Sequence, residues 1–247
     1  MFAPHATIVA TANRVLIDSA SFPTSPATLA RVGWHLRDLD PSTAFVDLAW
    51  VRLTAWREEI AQCFDPPTIQ PYISEVRRVE IDLGRAADDS PANQSEGLLL
   101  LGWIGSRLGW RVNPRTAPGS PVDWTLSEPD GQQVEVVLRT NESPEELGSG
   151  IQAVRLIAGR DSSISIKISR IARSELASDP RSCCQPDDGQ SVGACVRTTV
   201  RVGDGAEVTR IGRVASISDE ALMCQELEMT SRDEVFEQAL ELLDEIA

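Results

Sequence analysis

The chain has 247 residues, 42% of them hydrophobic, which suffices for one large domain or two small ones around a buried core. Its 23 basic and 37 acidic side chains leave a formal net charge of -14. That charge repels phosphate backbones and anionic headgroups, so neither nucleic acid nor a membrane surface is expected as a partner. The five cysteines are an odd number, against a fixed secreted framework, and mostly reduced thiols in a cytoplasmic protein are expected.

In chain order, residues 14–18 (RVLID) predict a short β-branched strand, and 27–39 a helix. A parallel strand needs neighbours, and no strand precedes this one, so residues 1–40 read as the tail of an incomplete N-terminal α/β domain. They are expected to be poorly ordered or to expose an unpaired sheet edge. Residues 41–247 read as a C-terminal α+β domain. Asp40 and Pro41 supply a cap and a first-turn proline, and Phe45, Ala49, Leu53, Trp56, Ile60 and Phe64 then recur at helical spacing up to Pro66-Pro67. One continuous amphipathic helix follows from that pattern.

Residues 72–83 predict a strand, 86–94 a loop, and 95–108 a second helix with Gly109 as its C′ residue. Gly102 and Gly105 inside that helix cost about 1 kcal/mol each relative to alanine, which close packing against another backbone can offset. The period then switches to two. Val122, Trp124 and Leu126 alternate up to a Glu128-Pro129-Asp130-Gly131 turn, and Val134, Val136 and Leu138 alternate after it, the pattern of a β-hairpin. Strands are also expected over 151–158, 164–168, 194–202 and 206–214. The sum is a mostly antiparallel sheet of about six strands. Two C-terminal helices are expected, over 219–228 and 232–246, the second opened by Ser231 and Glu234 at capping-box spacing.

Catalytic chemistry is thinly represented. There are two histidines, His5 and His35, and a structural role is expected for the latter beside Trp34. Gly102, Gly105 and Gly109 match no dinucleotide fingerprint, and Lys167 lacks the glycine a phosphate loop requires. The Gly148-Ser149-Gly150 cluster reads as a loop. Cys183, Cys184 and Cys195 crowd one region without the paired-knuckle spacing of a zinc site. No metal, cofactor or catalytic residue is therefore expected. The same cysteines are redox candidates, because a loop of about ten residues between Cys183 or Cys184 and Cys195 can be closed by a disulfide.

The segment DLAWVRLTAWREEIAQCFDPP carries two tryptophans and two arginines on one predicted helix. Trp50 and Arg57 fall on one stripe, Arg52 and Trp56 on another. Tryptophan and arginine are enriched at interface hot spots, so Trp50, Arg52, Trp56 and Arg57 are the candidate partner-binding residues; the alternative for each is a core or ion-pair role.

That segment, with RVLIDS at 14–19, SEGLLLLGWIGSRLGWRV at 95–112 and DEVFEQAL at 233–240, resembles the OpcA family. The resemblance implies a non-catalytic effector of glucose-6-phosphate dehydrogenase, acting in the oxidative pentose phosphate pathway by promoting the enzyme's assembly or active conformation. It also implies a longer family architecture with an additional N-terminal α/β domain. The alternative is a small-ligand sensor in which Arg197, Arg201, Arg210 and Arg213 hold a sugar phosphate or other anion.

Overall fold

The computed structural model describes residues 12–37, 43–85, 93–112, 123–144, 147–172, 174–175, 194–214, 219–228 and 232–247. The chain divides into two compact units: Met1–Leu53, Asn93–Ser106 and Ile217–Ala247 form one, Thr54–Ala92 and Arg107–Ser216 the other. Among the described residues the class is α+β, with six helices and a large, mostly antiparallel sheet.

In the first unit β1 (Arg14–Ile17) pairs in parallel with β2 (Ala44–Asp47), and α1 (Pro26–Arg37) lies between them in sequence. This corrects two expectations. Residues 44–47 are not the first turn of a long helix, and β1 has a parallel neighbour in β2; the expected unpaired edge is found on its other side, since among the described residues this sheet has two strands. The run Ala44-Phe45-Val46-Asp47 satisfies both periods. Extended backbone is selected because it completes the ladder with β1 and lets Asp47 cap the helix that follows, α2 (Leu48–Arg52). The predicted helix is broken once more, at Leu53, and restarts as α3 (Thr54–Gln62) in the second unit.

The helix α4 (Ser95–Leu108) forms as expected, with Gly109 at φ 68° where a left-handed residue ends it. A Cβ on Gly102 would stand 2.6 Å from the carbonyl oxygen of Ala239 in α6 (Glu234–Ile246), so the missing side chain is what allows the two helices to touch. The helix α5 is Asp219–Glu228. The opening of α6 departs from expectation: the cap is Asp233, whose Oδ1 accepts the N–H groups of Val235 and Phe236 at 2.9 and 3.0 Å. Ser231 lies outside the described residues.

The second unit is built on eight strands: β3 (Val76–Arg85), β4 (Arg111–Val112), β5 (Asp123–Ser127), β6 (Gln133–Glu142), β7 (Gly150–Ala158), β8 (Ile164–Arg170), β9 (Ala194–Val202) and β10 (Val208–Val214). Their order is β10-β9-β8-β7-β3-β6-β5-β4. Every pairing is antiparallel except the central β3–β6 pair. The β5–β6 hairpin closes through a Glu128 carbonyl that accepts the Gly131 N–H at 2.9 Å. Strict alternation gives the sheet two unlike faces. Val79, Ile81, Leu83, Val134, Val136, Leu138, Val154, Leu156, Ile164, Ile166, Ile168 and Val196 are buried on one. Arg78, Glu80, Asp82, Glu135, Arg139, Arg155 and Lys167 stand on the other, which is open to solvent.

Candidate partner-docking surface

The break at Leu53 separates the four partner-binding candidates. Trp50 and Arg52 stay in the first unit, Trp56 and Arg57 go to the second. Stripes drawn along one continuous helix do not exist.

Trp50 is 3% exposed. Its indole Nε1 donates to Asp233 Oδ2 at 2.7 Å, and its ring meets Phe236 with centroids 5.3 Å apart and planes at 46°. Asp233 thus caps α6 with one oxygen and fixes Trp50 with the other. Arg52 forms a two-armed pair with Asp18, both N···O distances 2.9 Å. Burial raises the Asp18 pKa, but the hydrogen bonds and charge of Arg52, with the Ala20 N–H, more than reverse this and leave it below its ordinary value. Trp56 is 2% exposed, and Arg57 donates to Thr54 Oγ1 at 3.0 Å.

Asp47, the first residue of the DLAW segment, is fully buried. Its Oδ1 accepts the Ser19 and Ala49 N–H groups at 3.1 and 3.0 Å. Desolvation pushes its pKa up against these bonds. The Ser19 carbonyl in turn accepts from Thr24 Oγ1, Asn93 Nδ2 and Ser95 Oγ at 2.9, 3.0 and 2.7 Å. Four separated sequence motifs therefore meet inside one unit: RVLIDS through Asp18 and Ser19, DLAW through Asp47 and Trp50, the leucine-rich helix through Ser95 and Gly102, and DEVFEQAL through Asp233, Phe236 and Ala239.

Among the described sensor arginines, Arg197 and Arg201 share one sheet face and Arg210 lies on the other. Arg197 and Arg201 project from β9 onto the open sheet face, Arg197 pairing with Glu175 at 3.1 Å. Arg210 is in register with buried Thr198 on the opposite face, and both donate to Glu59 Oε2 of α3, at 3.0 and 3.1 Å. The side chain of Arg213 lies outside the described residues. The open face carries a charge cluster in which Glu80 is reached by Arg78 at 2.6 Å, Arg139 at 3.6 Å and Arg155 at 4.0 Å. Sequence reasoning did not assemble that cluster, because its members are neighbours only through strand register.

Of the cysteines, Cys63 and Cys224 are free, the Cys63 thiol pushed up to about 11 by burial. Cys195 is buried and disulfide-bonded, where a reduced thiol was expected. Cys183, Cys184 and His5 lie outside the described residues. His35 is exposed. Among the described residues no group of three or more histidine, cysteine or carboxylate side chains could hold a metal, and no helix is long and apolar enough to cross a membrane.

A large sheet with one covered and one open face, its centre a parallel pair, defines an α+β protein of a fold also found in solved oxidoreductases. The complex of KijD10, a 3-ketoreductase from Actinomadura kijaniata, with NADP and TDP-benzene matches at a TM-score of 0.54 and 9% identity, over 97% of this chain and 72% of that one. A single-residue variant of the same enzyme matches at 0.53 and 12%, over 94% and 68%. At such identities the likeness is one of fold alone. The family model that describes the C-terminal domain of a glucose-6-phosphate dehydrogenase subunit matches residues 43–240, and the chain belongs to this family, the OpcA family. Relatives named putative OxPP cycle protein OpcA occur in Nostoc punctiforme, 27% identical over 240 residues, and Synechococcus elongatus, 28% over 239. Each match covers 94% of this chain but 46% and 47% of the relative, so the chain spans about half the length of these curated relatives.

Proposed function

We propose that the chain is a non-catalytic effector that binds glucose-6-phosphate dehydrogenase and favours its assembled or active state. The observation that carries this reading is the match over 43–240 to a family described as a subunit of that enzyme. Such an effector works by differential affinity: binding the active state more tightly than the inactive one shifts the population by the ratio of the two affinities. Two carboxylates with displaced pKa values fit a structural rather than a catalytic use, since Asp18 is held by Arg52 and Glu80 by arginines, both lowered against the effect of burial. Within the reading, residues 1–40 are the tail of an α/β domain that precedes the C-terminal domain. Arg52 and Arg57, both half-buried, are its contact candidates in the DLAW segment, and Trp50 and Trp56 support them from inside.

The test is co-elution with the host's dehydrogenase, and its activity at limiting substrate, with the chain added in excess both as it stands and extended at its N-terminus. Co-elution with raised activity is the expected result. Unchanged elution and kinetics with both versions reject the reading.

A further inference from the structure

The open face of the sheet is not uniform in charge. On β3 and β6 the basic and acidic side chains alternate and neutralise one another, with Arg78, Glu80, Asp82, Glu135 and Arg139 in one ion-pair cluster. Carboxylates run out at β7. Arg155 reaches Glu80 only at 4.0 Å, and directly opposite it across the ladder stands Lys167, the sole lysine of the chain. Arg197 and Arg201 follow on β9, opposite Ser169 and Ser165, each diagonal to Lys167. Opposed side chains on one face lie about 5 Å apart and diagonal ones about 7–8 Å, and like charges at these positions repel. Lys167 and Arg201 are exposed, and neither has an ion-pair partner among the described residues. Four cations thus share about three strands' width of flat surface in a chain whose net charge is -14; Arg197 is paired with Glu175 at 3.1 Å, Arg155 with Glu80 at 4.0 Å, and the uncompensated charge is that of Lys167 and Arg201. Between them stand only Ser165, Ser169 and Thr199, which keep the surface low.

We propose that this basic strip, Arg155, Lys167, Arg197 and Arg201, is where an acidic surface of the dehydrogenase docks. The assignment rests on the function proposed above and adds to it a location and a charge. Elsewhere the chain's excess acid repels an acidic partner; here carboxylates relieve a like-charge repulsion built into the sheet. Opposite potentials of this kind raise the rate of productive encounter and reject wrong partners more than they add raw affinity. Screening acts over about 8 Å at physiological ionic strength, so salt should weaken the contact.

The experiment compares the intact chain with a Lys167→Glu/Arg201→Glu variant, a milder Lys167→Gln/Arg201→Gln variant, and Arg31→Glu, a reversal at an exposed cation of the other unit. Co-elution with the dehydrogenase and its activity are read at low and high salt, with melting temperature as the check on folding. The double reversal is expected to weaken binding by about tenfold or more and to flatten its salt dependence; the neutral variant falls between, and Arg31→Glu stays close to the unaltered chain. Equal binding by the unaltered chain and the double reversal overturns the docking site while leaving the effector role standing. Failure of the unaltered chain to bind, both as it stands and extended at its N-terminus, overturns both. If the chain pairs with itself and the reversal abolishes that pairing without touching dehydrogenase binding, the strip is a self-contact and the proposal fails.

Discussion

The closing side chains of the first unit and the cations of the basic strip in the second are used in opposite ways. In the first, Arg52 is locked to Asp18 and Trp50 to Asp233, and Arg14 reaches Glu226 at 3.1 Å; every one of these side chains closes a gap between distant segments. In the second, Arg155, Lys167 and Arg201 stand on an open sheet and close nothing comparable. The recognisable motifs meet in the contacts that hold the first unit together, whereas the basic strip proposed above lies on strands that carry no motif. A distinctive sequence segment can thus report internal closure as well as a contact surface.

The comparison is broken most forcefully at Trp50. Trp50→Ala removes a buried ring packed on Phe236 and leaves Asp233 Oδ2 without its donor, so a loss of about 3–5 kcal/mol is expected in denaturant unfolding. Unchanged stability with weakened dehydrogenase binding reverses the roles given to the two units. Asp47 comes next. Asp47→Ala strands the Ser19 and Ala49 N–H groups in the interior and should cost about 2–3 kcal/mol, whereas Asp47→Asn keeps an acceptor and should cost much less.

Gly102→Ala forces a Cβ against the Ala239 carbonyl, and about 1–3 kcal/mol of destabilisation is expected; a neutral outcome shows that α6 moves aside freely. Acid titration sharpens the contrast further. The folded-state pKa of Asp18 is lowered, so its contribution is complete above the ordinary carboxylate value and disappears as pH falls through the folded value beneath it. Asp47 behaves inversely: its folded-state pKa is raised, so stability declines as pH climbs from the ordinary value through the folded one. Arg52→Ala should erase the first dependence and Asp47→Asn the second, as read from melting temperature against pH. The smallest effect belongs to the open face, where Lys167→Ala should change stability by no more than about 0.5 kcal/mol.

Redox control is a separate proposal with its own test. Mass spectrometry after mild oxidation and reduction should find Cys195 linked reversibly to Cys183 or Cys184, with dehydrogenase activation following the linkage. Activation indifferent to both dithiothreitol and Cys195→Ser removes the idea.

Much of the second unit was legible because its signals are local. The Glu128–Gly131 turn, the alternation on either side of it and the Gly109 terminus are each set within a few residues. The start of β2 was not legible, since Phe45 and Ala49 also fit a helix and the partner that decides the matter, β1, is some thirty residues away. The α6 cap was missed because Ser231 and Asp233 both suit a first turn, and the contact of Asp233 with distant Trp50 is not written in the local sequence. The basic strip was invisible for a different reason: Arg155, Lys167 and Arg201 are widely spaced in sequence, and a register shift of one residue moves each to the other face.

The parallel pairing at the middle of the sheet also sets a timetable for synthesis. Arg78 on β3 faces Glu135 on β6 across a separation of 57 residues, and the intervening chain includes α4, most of which belongs to the other unit. At about 5–20 residues per second, β3 emerges and waits on the order of 3–11 s before its first permanent neighbour exists, and β7 arrives later still. During that interval the strand destined for the centre of the fold has two bare edges. An aggregation-exposed interval in making this protein therefore falls on the strand at the middle of its large sheet, and a holdase that shields β3 until β6 has been translated should raise the yield of native chain.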